Sequence, residues 1–250
     1  MALFGKLGGG GYTVLARWTT DWDCGYETNW WYVIKDTPFD INALKAKRRY
    51  EITKGRRNFD VCIINSMAYI DDIIRVTFAA YQAWPEKYRP NVDKESMRKS
   101  FTEWIHSSII FAAFDRSTKR LNGYAVVEDN GYYVNFSILR TEPVSEKMGI
   151  NAAIVDAILQ NYNSRFLNGF YICDGSRSIR HETAFQDYLE KYFGFRKAYC
   201  RLNIEYKHCV SLMIKSLYPF RKWLRWIGFC SIGSQMLGLL KMEDVIRCQN

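Results

Sequence analysis

The chain has 250 residues, 48% of them apolar and 24% charged, with 15 Phe, 17 Tyr and 8 Trp. That content excludes a disordered chain, and 16 Gly and 5 Pro are far too few for a collagen-like or low-complexity one. The formal charge of +9 favours anionic partners: nucleic acid, phospholipid headgroups or a phosphate-rich cofactor. No apolar run approaches the ~18 residues of a membrane span. The N-terminal Met-Ala-Leu-Phe-Gly-Lys-Leu lacks the apolar stretch of a secretory signal, so a cytoplasmic protein is expected. Seven cysteines stand singly at 24, 62, 173, 200, 209, 230 and 248, without a C-x-x-C pair. They suggest neither a disulfide framework nor a thiolate zinc site, and no metal is expected; Cys62, Cys173 and Cys200 sit in apolar runs as small hydrophobes.

In chain order, residues 12–32 hold Tyr12, Trp18, Trp22, Tyr26, Trp30, Trp31 and Tyr32, read as a strand pair packed on the main core. The same rings could instead form an aromatic wall for a sugar or acyl chain. Ile41 to Asn58 carries Lys45, Lys47, Arg48, Arg49, Lys54, Arg56 and Arg57, and predicts a basic, partly amphipathic helix ending near Gly55. Val61 to Asn65 reads as a strand. Tyr69 to Trp84 reads as a helix with Ile70, Ile73, Ile74, Phe78 and Tyr81 on one face, stopped by Pro85, and Asp93 to Ile105 as a second. Strands follow at Ile109 to Asp115, Gly123 to Glu128 and Gly131 to Leu139, the last two joined by the hairpin signal Asp129-Asn130-Gly131.

A helix from about Gly149 to Asn161, a strand at Gly169 to Asp174, a helix from Glu182 to Phe193 and a strand at Lys197 to Tyr206 complete the pattern. The crossover between the strands at 131 and 169 must make them parallel. Beyond His208, Lys215, Arg221, Lys222 and Arg225 alternate with Leu212, Phe220, Trp223, Trp226 and Ile227. This suits either a bilayer interface or a terminal helix packed on the domain with its basic face in water.

The order strand, two helices, three antiparallel strands, helix, strand, helix, strand resembles the core of the GCN5-related N-acetyltransferase (GNAT) superfamily. Two stretches carry the resemblance. Glu146-Lys147-Met148-Gly149-Ile150-Asn151-Ala152 looks like that superfamily's acyl-CoA pyrophosphate loop, with Glu146 where an Arg or Gln usually stands and Asn151 at the second small position. Thr183 to Phe195 looks like its late helix and turn, with one residue inserted before Gly194-Phe195 and His181 where the family often has Asn. Lys47 to Gly55 is similar to a helix of the Fem-type branch, whose members transfer aminoacyl groups to peptidoglycan precursors.

The resemblance implies an α/β fold with a mixed, mostly antiparallel sheet flanked by helices, the acyl-CoA N-acyltransferase (GNAT-like) fold, at residues 59–206. Residues 1–58 would be an N-terminal extension of aromatic strands and basic helix, and 207–250 a basic amphipathic helical region. It implies an N-acyltransferase passing an acyl group, acetyl in the simplest case, from acyl-CoA to an amino group of a bacterial envelope sugar, a lipid-linked glycan or a related metabolite. The alternatives are a Fem-type transferase fed by aminoacyl-tRNA, or a non-catalytic module for membrane surfaces or nucleic acid. Attachment to an anionic membrane at its inner face fits the basic C-terminal region.

The cofactor positions are Lys147, Met148, Gly149, Ile150, Asn151 and Ala152. There a helix N-terminus offers N–H groups and a dipole to the pyrophosphate, and Gly149 permits close backbone approach. His181 or Asp174 would be the general base, Asp174 having a second reading as the cap of the Gly175-Ser176 turn. Tyr188 or Tyr192 would be the general acid, and both have the spacing of core aromatics.

Overall fold

The computed structural model describes residues 15–86, 89–104, 108–179, 184–226 and 231–249. In chain order the elements are β1 (Leu15–Thr20), β2 (Trp30–Lys35), α1 (Ala46–Asn58), β3 (Phe59–Ile64), α2 (Ile70–Gln82), α3 (Lys94–Trp104), β4 (Ile109–Asp115), β5 (Leu121–Asp129), β6 (Tyr133–Thr141), α4 (Pro143–Glu146) and α5 (Ile150–Tyr162). Then come β7 (Tyr171–Ser176), α6 (Ala184–Phe193), β8 (Arg196–Tyr206), α7 (His208–Leu217), α8 (Arg221–Trp226) and α9 (Ser231–Arg247). These elements gather into two compact units. One comprises Ile34–Gly175 and Phe185–Arg196; the other comprises the described parts of Met1–Val33, Ser176–Ala184 and Lys197–Asn250.

The larger unit is built on the sheet β7-β6-β5-β4-β3. Its neighbours are antiparallel from β3 through β6, and β6 with β7 is parallel. Strand β5 is buried along Leu121 to Val127, as a strand covered on both faces must be. On one face Tyr124 and Val126 join Ile70, Ile73, Ile74 and Val76 of α2 and Met97 and Phe101 of α3. The Tyr124 hydroxyl shares a 2.6 Å hydrogen bond with Thr77, which satisfies two polar atoms inside that core. On the other face a Cβ on Gly123 would stand 2.8 Å from the Ile150 side chain, so only glycine lets α5 lie so close. The α/β class with a mixed, mostly antiparallel sheet flanked by helices is thus observed.

Helix α1 packs on α5 within this unit and runs to Asn58, past the predicted stop at Gly55. Gly55 is an interior helix residue whose missing side chain admits another backbone: a Cβ there would lie 2.4 Å from the Gly149 carbonyl oxygen. The Arg56 guanidinium holds the buried Asp156 of α5 by two hydrogen bonds of 2.6 and 2.7 Å, tying the two helices together.

In the smaller unit the aromatic strands do not pair with each other as the sequence suggests. Strand β8 lies between them, in the order β1-β8-β2, with Leu15 opposite Tyr206 and Thr20 opposite Arg201. Trp30, Cys200, Leu202 and Val245 form this unit's buried cluster. Cysteines 173 and 200 are buried as expected, whereas Cys62 is exposed on its edge strand. Among the described residues the basic C-terminal stretch forms three helices, the first two separated by a short 3₁₀ turn, Tyr218–Phe220, at Pro219. Among the described residues no helix is long and apolar enough to cross a membrane.

Candidate active site

The cavity of the larger unit begins where two parallel strands part. Strands β6 and β7 pair over Tyr133 to Asn135 and Tyr171 to Cys173, after which β6 continues to Thr141. At the same level β6 carries a bulge against β5: Val126 stands opposite Ile138 and Val127 opposite Phe136, leaving Ser137 as the extra residue. A bulge bends and over-twists its strand and breaks the local ladder, so backbone groups there turn out of regular pairing. Phe136 through Thr141 form one wall of a cavity of about 590 Å³. Ala80, Ala83 and Trp84 at the end of α2 form a second wall, Pro143, Glu146 and Asn151 a third, and Asp174 and Phe185 close it.

Asp174 is the titratable group whose surroundings stand out. Burial pushes its carboxyl up to about 7, although a side-chain hydrogen bond from Gln186 favours the ionised form. The neighbouring Cys173 thiol is likewise pushed up, to about 11, by burial. Gln186 comes from α6, so the packing of that helix holds the environment of Asp174. Gly175, at φ 97°, turns the chain directly after it.

Arg140 is a cavity residue that the sequence reading passed over. Its guanidinium lies 5.4 Å from the Tyr81 ring centre and 5.2 Å from that of Trp84, and Nη1 donates to the Leu139 carbonyl at 2.9 Å. Its Nε is buried with no hydrogen-bond partner among the described residues. A charged residue ending the alternating strand pattern Val134 to Leu139 was the one sequence signal available.

The predicted cofactor loop is formed, and the structure gives its glycine a further reason. Gly149 caps α5 at φ 85°, and a Cβ on it would meet the backbone of Glu51 and Gly55 in α1 at 3.0 to 3.1 Å. The close approach at this glycine is therefore made by α1. Met148 and Gly149 commit their N–H groups to Ser145 and Glu146 carbonyls, both at 3.0 Å, and Asn58 Nδ2 donates to the Met148 carbonyl at 2.9 Å. Intrahelical bonding starts with Ala153 N–H to the Gly149 carbonyl, so the N–H groups of Ile150, Asn151 and Ala152 are those a phosphate could use. Asn151, whose Oδ1 accepts from Thr141 Oγ1 at 3.1 Å, brings this end of α5 to the cavity. Lys147 is exposed nearby, and the carboxylate of Glu146 lines the same wall.

The other predicted residues are placed differently. Tyr188 and Tyr192 do not line the cavity; their rings lie 4.9 Å apart in a cluster with Phe185 and Phe193. Tyr188 stands one ring back, behind Phe185, and burial, with Glu51 and Tyr192 adding to it, raises its hydroxyl far above the ordinary phenol range. His181 lies outside the described residues.

The parallel pair that splits beside a bulge, with a helix N-terminus at the split, agrees with the acyl-CoA N-acyltransferase (GNAT-like) fold that the sequence resembles. No family profile and no curated protein sequence matches the chain. Among solved structures it is similar to FemX, with a TM-score of 0.50 at 7% identity over 69% of this chain and 60% of that one. It also matches the C-terminal domain (DUF2156) of a putative lysylphosphatidylglycerol synthetase from Agrobacterium fabrum, with TM-score 0.47, 12% identity, 81% of this chain and 66% of that one. A third match is an acetyltransferase from Trypanosoma brucei, with TM-score 0.38, 10% identity, 56% of this chain and 93% of that one. At 7% identity the likeness to FemX is one of fold alone.

Proposed function

We propose that the larger unit is an N-acyltransferase that passes an acyl group from acyl-CoA to an amine, with Asp174 as general base. The observation that carries this reading is the meeting of the split between β6 and β7 with a half-buried carboxyl whose proton is held to about pH 7. Acyl transfer needs a carbonyl polarised and an ammonium stripped of its proton. Backbone N–H groups around the Ser137 bulge would polarise the thioester carbonyl, and ionised Asp174 would take the proton of the attacking amine. A thiol ionises near pH 8.5, so the thiolate can depart as such and regain its proton from Asp174 or water.

For the donor's pyrophosphate, the N–H groups of Ile150, Asn151 and Ala152, with Lys147, offer positive potential. Glu146 opposes it. That carboxylate favours a second reading, in which the donor is an aminoacyl-tRNA and the exposed Lys45, Lys47, Arg49 and Arg57 around α1 meet RNA phosphates. The acceptor class, an amino-bearing envelope sugar, lipid-linked glycan or related metabolite, rests on the likeness of α1 to Fem-type proteins. Calorimetry with a panel of acyl-CoAs and with tRNA separates the donors. Saturable binding of an acyl-CoA supports the first reading, and heat with tRNA alone supports the second.

A further inference from the structure

The smaller unit carries a surface whose chemistry is independent of the cavity. From Lys207 through Trp226 the chain contains Lys207, Lys215, Arg221, Lys222 and Arg225 and no Asp or Glu. Helix α7, the 3₁₀ turn and α8 follow one another with right-handed helical backbone at Tyr218 and Arg221, so helical spacing continues across Pro219. Leu212, Phe220 and Trp223 stand at i, i+8 and i+11, on one face and about 16 Å from end to end. They are 53%, 61% and 61% exposed. Lys215 and Lys222 are exposed beside them, and so is Ser216 between.

The opposite face faces inward. Ile214 is buried, the Tyr218 hydroxyl donates to Asp244 of α9 at 2.8 Å, and Arg221 pairs with the same carboxylate at 2.7 Å. Arg221 and Arg247 lie over the Tyr218 ring at 4.1 and 3.9 Å. The helices are thus anchored through Tyr218 and Arg221, and this anchoring leaves three large apolar side chains in water beside two lysines. An apolar ridge edged by positive charge, on a segment without Asp or Glu, complements an anionic lipid surface: Trp and Phe enter the headgroup zone while lysine ammonium groups remain at the phosphates.

We infer that the Leu212–Phe220–Trp223 face docks the protein onto membranes rich in anionic phospholipid. The contact is peripheral and reversible, since neither three apolar side chains nor a few lysines suffice alone.

The test is sedimentation of the full chain with vesicles of phosphatidylcholine alone, or of phosphatidylcholine mixed with phosphatidylglycerol. Pelleting should require phosphatidylglycerol and weaken as sodium chloride is added. Replacing Lys215 and Lys222 by Gln should weaken it about fivefold per lysine, without touching a buried group. A Leu212→Ser, Phe220→Ser, Trp223→Ser variant, shown by its far-ultraviolet dichroism and melting to be folded, should remain in the supernatant. Equal recovery in the supernatant with both vesicles at low salt would overturn the inference. So would a folded triple variant that still pellets, or one whose only change is from dimer to monomer, which would make the face a contact between copies. Acyl-CoA binding, measured on the same samples, is expected to be unaffected, so the result is separable from the proposed activity.

Discussion

The turn at Gly149 and Asp174 in β7 lie in the same unit and both attract attention in the sequence, yet they matter for opposite physical reasons. Gly149 follows a recognisable pattern, and its lack of a Cβ is used by the backbone of α1, within 3.1 Å. Asp174 follows a weak pattern, and its environment works against stability, because burial disfavours its ionised form. Packing explains the first residue completely. The second costs the fold something, and that cost next to a cavity is what the proposed chemistry is argued from. The comparison teaches that a motif glycine in this chain reports on helix packing, while the acyl-transfer hypothesis stands on the carboxyl.

The comparison breaks most visibly at the glycine. Gly149→Val combines a left-handed backbone with a Cβ driven into α1, and should cost about 3 kcal/mol or more, enough to abolish a cooperative thermal transition near that of the parent. A well-folded Gly149→Val protein that merely binds acyl-CoA less tightly would show that the glycine serves the ligand instead.

Asp174→Asn should act in the opposite direction on stability. The folded carboxyl titrates near 7 and the unfolded one near 3.9, so between those values the folded state holds the proton more tightly and is favoured at the acid end. That contribution is lost as pH rises toward 7. The Asn variant should therefore melt at the same temperature as the parent near pH 4 and progressively above it up to pH 7, then hold a constant lead of about 4–16 °C, corresponding to about 2–4 kcal/mol. Coincident melting curves at pH 4 and pH 8 would mean that the carboxyl is not strained by burial.

Arg140→Gln tests the cavity from its other side. The guanidinium is held by aromatic rings and, among the described residues, has a carbonyl rather than a carboxylate as its hydrogen-bond partner. If it meets an anionic group of donor or acceptor, KM for that substrate should rise about 10- to 100-fold, the worth of a charge-assisted hydrogen bond, with kcat little changed. An unchanged KM for both substrates would confine Arg140 to a structural role with Tyr81 and Trp84.

The smallest effect is Gly55→Ala. In an exposed helix interior this change gains nearly 1 kcal/mol, but here the new methyl would stand 2.4 Å from the Gly149 carbonyl. The expected outcome is a loss of about 1–3 kcal/mol. A rise in melting temperature would contradict the tight contact between α1 and α5.

Much of the larger unit was legible because its elements carry strong local patterns. The face of Ile70, Ile73 and Ile74 is read at helical spacing, and Asp129-Asn130-Gly131 marks its hairpin by turn chemistry alone. The pairing of β1 with β8 was not legible, since the partners lie far apart in sequence and rings at 18, 22, 30 and 31 fit several neighbours equally well. Within the site, Asp174 could be proposed because it follows a buried strand. The Ser137 bulge could not, because Val134, Phe136 and Ile138 alternate without a break and no glycine or proline marks the slip. Arg140 acquires meaning only when α2 brings Tyr81 and Trp84 over it. Tyr188 shows the converse: a phenol at the spacing of the acid in the superfamily the sequence resembles is also a phenol at core spacing, and tertiary packing placed it behind Phe185.

The account's central claim is that Asp174 removes the proton from the attacking amine, and the pH dependence of turnover tests it most directly. With a bound acyl donor and a saturating amine, the parent enzyme should show a rising limb with its midpoint near pH 7, because only the ionised carboxylate is a base. Asp174→Asn should lose that limb and about 10²- to 10⁴-fold in kcat, while calorimetry gives an unchanged affinity for the donor. Full turnover in the Asn variant, with the same rising limb as the parent, would contradict the claim and assign the base to another group.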